Sequence, residues 1–194
     1  MDSEEQGKIE IPKEFHSFST GAPFERCIEC DKNLIEGEQE YFIEKAVKQY
    51  EGFSAHDVIF EYAICLSCAE RMRNSMSKES MKSIELYFSQ NLDFGRRMKL
   101  IQDNIENPIA WMDECLLKGT QKNTINEYQI YAHCKGNHLD VSQMPYMVSG
   151  AALEEISSLL SNETLDELDG FSQKHFGPPP ELANPTPFRR VVLI

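Results

Sequence analysis

The sequence predicts an α+β fold: an N-terminal cysteine knuckle, β-hairpin and helix, a helical middle, and a small C-terminal unit of strands and helices. Three observations predict it. Two Cys-x-x-Cys pairs, Cys27–Cys30 and Cys65–Cys68, bracket two runs of alternating hydrophobicity. Residues 77–118 show helical spacing behind capping side chains, and the last third returns to strand-like alternation before two more helical stretches.

In chain order, residues 1–20 read as an acidic arm without periodicity, in which Ile9, Ile11, Phe15 and Phe18 could pin part of the segment down. Residues 21–76 form the cysteine unit. Asp31-Lys32-Asn33 and Gly37 supply turn chemistry after the first pair. Tyr41, Ile43 and Val47 then alternate along 40–49, and Val58, Phe60, Tyr62 and Ile64 along 57–64, with Gly52 in the loop between them. The second strand runs directly into Cys65, and the residues after Cys68 turn helical, so the second pair stands at a helix start, where amides and dipole favour thiolate.

Residues 77–118 form the helical segment. Ser77 caps a helix over 78–90 with Met81, Ile84 and Phe88 on one side, Asn91-Leu92-Asp93 interrupts it, and a second stretch runs to about Asp103. Asn107-Pro108 opens a short piece containing Trp111 and Cys115. Residues 119–177 form the C-terminal unit: a strand over Glu127–His133, a turn at Lys135-Gly136-Asn137, and a short strand over 144–148. A helix capped by Ser149 and another capped by Asn162 follow, the last ending at Gly177. Residues 178–194 form a Pro-rich tail that closes on Val191, Val192, Leu193 and Ile194, a strand-like apolar run.

Four thiols in two tight pairs, with thirty-four residues between Cys30 and Cys65, have the spacing of a tetrahedral zinc site. Cys27, Cys30, Cys65 and Cys68 are the expected ligands, and zinc the expected structural cofactor. The order knuckle, hairpin, cysteine pair, helix over about residues 24–75 resembles the treble-clef group of zinc fingers. That resemblance implies a metal-organised fold and carries no particular function.

Net charge of −13 argues against nonspecific nucleic-acid binding, which demands a basic surface. The charge is uneven: residues 67–102 hold 7 basic and 4 acidic side chains, against 6 and 15 over residues 1–66. Arg71, Arg73, Lys78, Lys82, Arg96, Arg97 and Lys99 therefore either dock an acidic partner or offset a negative zinc–thiolate centre. The opening Met-Asp-Ser-Glu-Glu-Gln is not a signal-peptide pattern, and no run approaches a membrane span. Six cysteines without an export signal point to a reducing, cytoplasmic setting.

The leading expectation is a zinc-stabilised, non-catalytic protein that binds another protein. The alternative is an enzyme or small-molecule binder with a site around Cys115, His133 and Cys134, joined by His138 if a second metal is held. Cys and His residues in this irregular spacing are more often buried thiols and solvated imidazoles. A pocket where the three converge would favour the alternative.

Overall fold

The computed structural model describes residues 9–52 and 55–177. Its described strands are β1 (Ile9–Glu10), β2 (Glu40–Gln49), β3 (His56–Cys65), β4 (Glu127–Lys135), β5 (His138–Asp140) and β6 (Tyr146–Ser149). The helices are α1 (Leu66–Ser75), α2 (Lys78–Asn91), α3 (Phe94–Asp103), α4 (Gly150–Ser158) and α5 (Asn162–Phe176). All strand pairs are antiparallel, in the order β1-β5-β4-β2-β3, with β6 also on β4. The predicted α+β class is what the chain adopts. The hairpin between the cysteine pairs and the strands of the last third share one sheet.

Residues directly opposite across an antiparallel pair share a face. On one face Tyr41, Ile43 and Lys45 stand beside Cys65, Ala63 and Glu61 on β3, and beside Cys134, Ala132 and Ile130 on β4. On the other, Phe42, Glu44 and Ala46 stand beside Ile64, Tyr62 and Phe60. Helix α5 covers this second face, with Phe171 5.4 Å from the Tyr62 ring and Phe176 5.4 Å from Phe60. The register shifts between Ala46, opposite Phe60, and Val47, opposite Val58. Ile59 is thus an extra residue, and the bulge moves Val58 off the face predicted for it with Phe60, Tyr62 and Ile64.

The first face is covered from the N-terminus. The expected arm is tied down from Ile9 onward: β1 pairs with β5, and Ile11 and Phe15 are buried. Lys45 and Glu61 form an ion pair of 3.0 Å beneath this segment. Lys45 Nζ also donates to the His16 carbonyl at 2.6 Å, and Glu61 accepts from Ser17 Oγ and the Phe18 amide. Buried charges persist only when paired and hydrogen-bonded, and these are both. Phe18 stays 64% exposed, unlike the other anchors anticipated for the arm. Residues 1–8 and the tail 178–194 lie outside the described residues.

Helix starts follow side-chain chemistry. Ser77, Asp93 and Ser149 cap α2, α3 and α4 by accepting from Ser80, Arg96 and Ala152 amides. The cap of α5 is Ser161 and not Asn162, because Ser161 holds the extended conformation a cap needs while Asn162 is already helical. Asn107 makes no cap bond, and Pro108–Met112 is a 3₁₀ turn. Strand β5 was not anticipated; three residues are too few for alternation to register. Gly136, at φ +54°, makes the tight turn that delivers it.

Helices α2 and α5 start against each other. In a capping box the side chain three residues on accepts from its own cap amide. Here the acceptors are exchanged: the Ser77 amide donates to Thr164 Oγ1 at 2.9 Å, and the Ser161 amide donates to Ser80 Oγ at 2.8 Å. Ser77 Oγ and Ser161 Oγ meet at 2.9 Å, and Ser80 and Thr164 are fully buried. Ser80→Ala and Thr164→Ala should each destabilise the chain by about 1 kcal/mol in urea unfolding. Because both belong to one network, their double-mutant cycle should show coupling of about 0.5 kcal/mol or more; strict additivity would contradict the exchanged caps.

Candidate metal centre

The first cysteine pair sits on a turn closed by three backbone contacts. Asp31 N donates to the Cys27 carbonyl and Cys27 N to the Lys32 carbonyl, both at 2.9 Å, and Arg26 bridges to Asn33. Asp31 takes φ +57°, a left-handed conformation that aspartate tolerates better than most residues. Asn33 Oδ1 then accepts from the Ile35 and Glu36 amides and fixes the exit. The second pair comes from a different device. Cys65 ends β3 and occupies the cap position of α1, and Cys68 follows in the first turn.

These elements bring the four Sγ atoms within 4.8 Å of one another, and Cys30 and Cys65 to 3.8 Å. A tetrahedral ion about 2.3 Å from each thiolate would set neighbouring sulfurs about 3.8 Å apart. The surroundings also favour charge on sulfur: Cys65 N approaches Cys27 Sγ at 3.4 Å, and Arg71 Nη2 donates to Cys68 Sγ at 2.9 Å. Burial pushes the Cys27 and Cys68 thiols up. Burial acts the same way on Cys65, but hydrogen bonds from Ser67 and from the Cys68 amide outweigh it and bring that thiol to about 6. Cys65 is thus pushed toward thiolate while Cys27 and Cys68 are pushed away from it. A bound cation removes that conflict, so the four-cysteine group fits, and could hold, a metal ion.

Glu29, inside the first pair, connects the turn to the other end of the chain. Its Oε1 lies 2.7 Å from His175 Nε2 and its Oε2 2.8 Å from Lys174 Nζ, both on α5. Burial alone would raise this carboxyl, and the Lys174 and His175 contacts hold it below the ordinary range instead. Arg71, one of the cations the sequence offers as offsetting a thiolate centre, does contact Cys68, whereas the Glu29 bracket was missed. Arg71, three residues after Cys68 on one helix, had a readable signal; Glu29 and Lys174, 145 residues apart, had none.

Cys115, His133, Cys134 and His138 do not converge. Cys115 is buried alongside β6, joined to Met147 by a β-bridge and accepting from the Ser149 and Lys118 amides at 3.3 and 3.4 Å. His133 and Cys134 are successive strand residues and face opposite sides of the sheet. His133 packs at a tilt on Phe42, ring centroids 4.8 Å apart, between Glu40 and Asp140, each 3.5 Å away. Cys134 lies among Tyr41 and Leu139, where burial pushes its thiol up to about 12. His138 pairs in register with Lys135 and Glu10. Among the described residues, only the four cysteines group as ligands.

The basic stretch is largely engaged internally. Arg96 pairs with Glu114 at 2.9 Å, and Arg97 donates to the Trp111 and Pro145 carbonyls. No protein-family model, curated protein or solved structure matches the chain, so the chemistry rests on the site's own geometry. Iodoacetamide should leave Cys115 and Cys134 unmodified in the folded protein and alkylate both in denaturant, as read by mass spectrometry. Cys115→Ser should leave bound metal unchanged; a loss of metal would place Cys115 in a second site.

Proposed function

We propose that the chain is a zinc-stabilised, non-catalytic protein that acts by binding another protein. Cys27, Cys30, Cys65 and Cys68 are its ligands for one structural zinc ion. One observation carries the reading: the four sulfurs lie within 4.8 Å of one another, and four thiolates on one tetrahedral ion would leave no position for substrate or water. Soft thiolates suit zinc, and the same donor set would suit iron. The order of turn, β2–β3 hairpin and α1 supports a treble-clef-like arrangement of residues 24–75.

A protein partner is favoured by charge and by surface. Net −13 does not suit a polyanion, and Phe94, Met98 and Ile105 stand 69%, 50% and 70% exposed. No helix among the described residues is long and apolar enough to cross a membrane. Free thiols in this number fit a reducing, cytoplasmic setting. The dispersal of Cys115, His133 and Cys134 withdraws support from the enzyme reading.

Elemental analysis of purified protein should find one zinc per chain, absent from Cys65→Ser. Structural zinc is worth about 10 kcal/mol or more in small domains, comparable with the whole stability of a typical fold. Chelation should therefore unfold the cysteine unit, seen as loss of amide-exchange protection over residues 21–76. Iron in place of zinc, or protection that survives chelation, would overturn the structural-zinc reading. A native-extract pull-down then tests the partner, with the zinc-loaded protein as bait.

A further inference from the structure

Helices α1 and α5 flank a groove of about 440 Å³ beside Cys68, a volume within the range of ligand sites. Met72 and Phe171 give it an apolar lining. Gly170 lies in its wall, in the interior of α5. Glycine there is less favourable than alanine, and packing does not require it: a Cβ at Gly170 would meet nothing within 4 Å. Its φ is not left-handed, so no turn demands it either. The absent side chain leaves room over the helix backbone, and room is what an occupant needs.

The charges on the rim say which occupant. Its two cations are engaged, Arg71 with Cys68 Sγ and Lys174 with Glu29. Asp166 and Glu167 are exposed carboxylates with no ion pair or hydrogen bond among the described residues. The surplus is negative. By contrast, nothing around the exposed apolar side chains of α3 specifies what covers them.

We propose that this groove binds a basic segment of a protein partner. The segment passes close over Gly170, sets an apolar side chain on Met72 and Phe171, and pairs lysine or arginine with Asp166 and Glu167. This rests on the interaction reading above and supplies the partner's chemistry. The groove walls are held in place by this chain itself: Glu29 ties α5 to the cysteine turn, and the exchanged caps tie it to α2.

The test uses the full zinc-loaded chain and a short fluorescein-labelled peptide of alternating lysine and leucine, followed by anisotropy at physiological ionic strength. Saturable binding is expected. Gly170→Leu fills the groove without altering charge and should weaken binding about tenfold or more, while leaving the melting temperature unchanged or raised. Asp166→Asn with Glu167→Gln should weaken it about fivefold. Glu106→Gln with Glu154→Gln, which removes equal charge elsewhere, should leave it unchanged. No binding, or equal binding by wild type and a folded Gly170→Leu, overturns the groove. Equal loss in both carboxylate pairs does the same, reducing the effect to net charge. Zinc content is measured on the same samples, so a zinc-loaded chain that ignores the peptide overturns the groove alone. A zinc-free chain that binds it overturns the metal reading alone.

Discussion

The double pairing of β2 is the constraint on which the remaining structure depends. Glu40–Lys48 pairs along β4 and Tyr41–Gln49 along β3, so this one strand joins two parts of the sequence with a long helical stretch between them. Its register places Tyr41 opposite both Cys65 and Cys134. The end of the sheet is thereby fixed, and with it the point where β3 gives way to α1 and presents Cys65 and Cys68. A central strand also has both faces covered, and β2 carries two charges into that environment. Lys45 is neutralised by Glu61 across the sheet, and Glu44 accepts a 2.6 Å hydrogen bond from Tyr62. Those pairings make register costly to change, since a one-residue slip would exchange every buried group between faces.

From that fixed end, the cysteine turn is tied to the fold on several sides. Ile28 N donates to the Ala63 carbonyl on β3, and Arg26 and Asn33 close the turn itself. Glu29 reaches α5. Exposed ion pairs are worth little, about 0–1 kcal/mol, but the Glu29 and His175 side chains are only 22% and 11% exposed. The contact is thus closer to the interior than to the surface. A metal held by four thiolates would draw the turn and the start of α1 together. Because Glu29 sits between two of those thiols, order at the centre extends to the last described helix.

Local features were legible in the sequence; long-range ones were not. Both cysteine pairs, the hairpin between them and the caps Ser77 and Ser149 follow from spacing and side-chain chemistry within a few residues. Ser161 and Asn162 are adjacent capping residues, and only backbone conformation separates them. The bulge at Ile59 leaves no mark on composition. The pairing of β2 with β4 was hidden because alternation shows that a strand has a face, not which strand completes it. The same holds for Lys45 and Glu61, which look like solvent-facing charges until the N-terminal segment is placed over them. Cys115, His133 and Cys134 show the opposite failure: close in sequence or chemistry, they are separated by the pleat of β4 and the path to β6.

What the two ends of α5 share explains why the candidate site and the groove belong together. Its N-terminus is locked to α2 by exchanged caps, its middle is seated on Tyr62 by Phe171, and its C-terminal turn is held by Glu29. Three tethers oppose any movement of α5 into the space beside α1. A groove between fixed walls spares a partner much of the ordering penalty that binding otherwise incurs. The proposed groove also accounts for Gly170. In a mobile helix, a glycine would add slack; in one held at three points it creates depth without slack. A metal held by the four cysteines would add a further tie at the Glu29 end of α5, so the proposed centre and the proposed groove depend on the same helix.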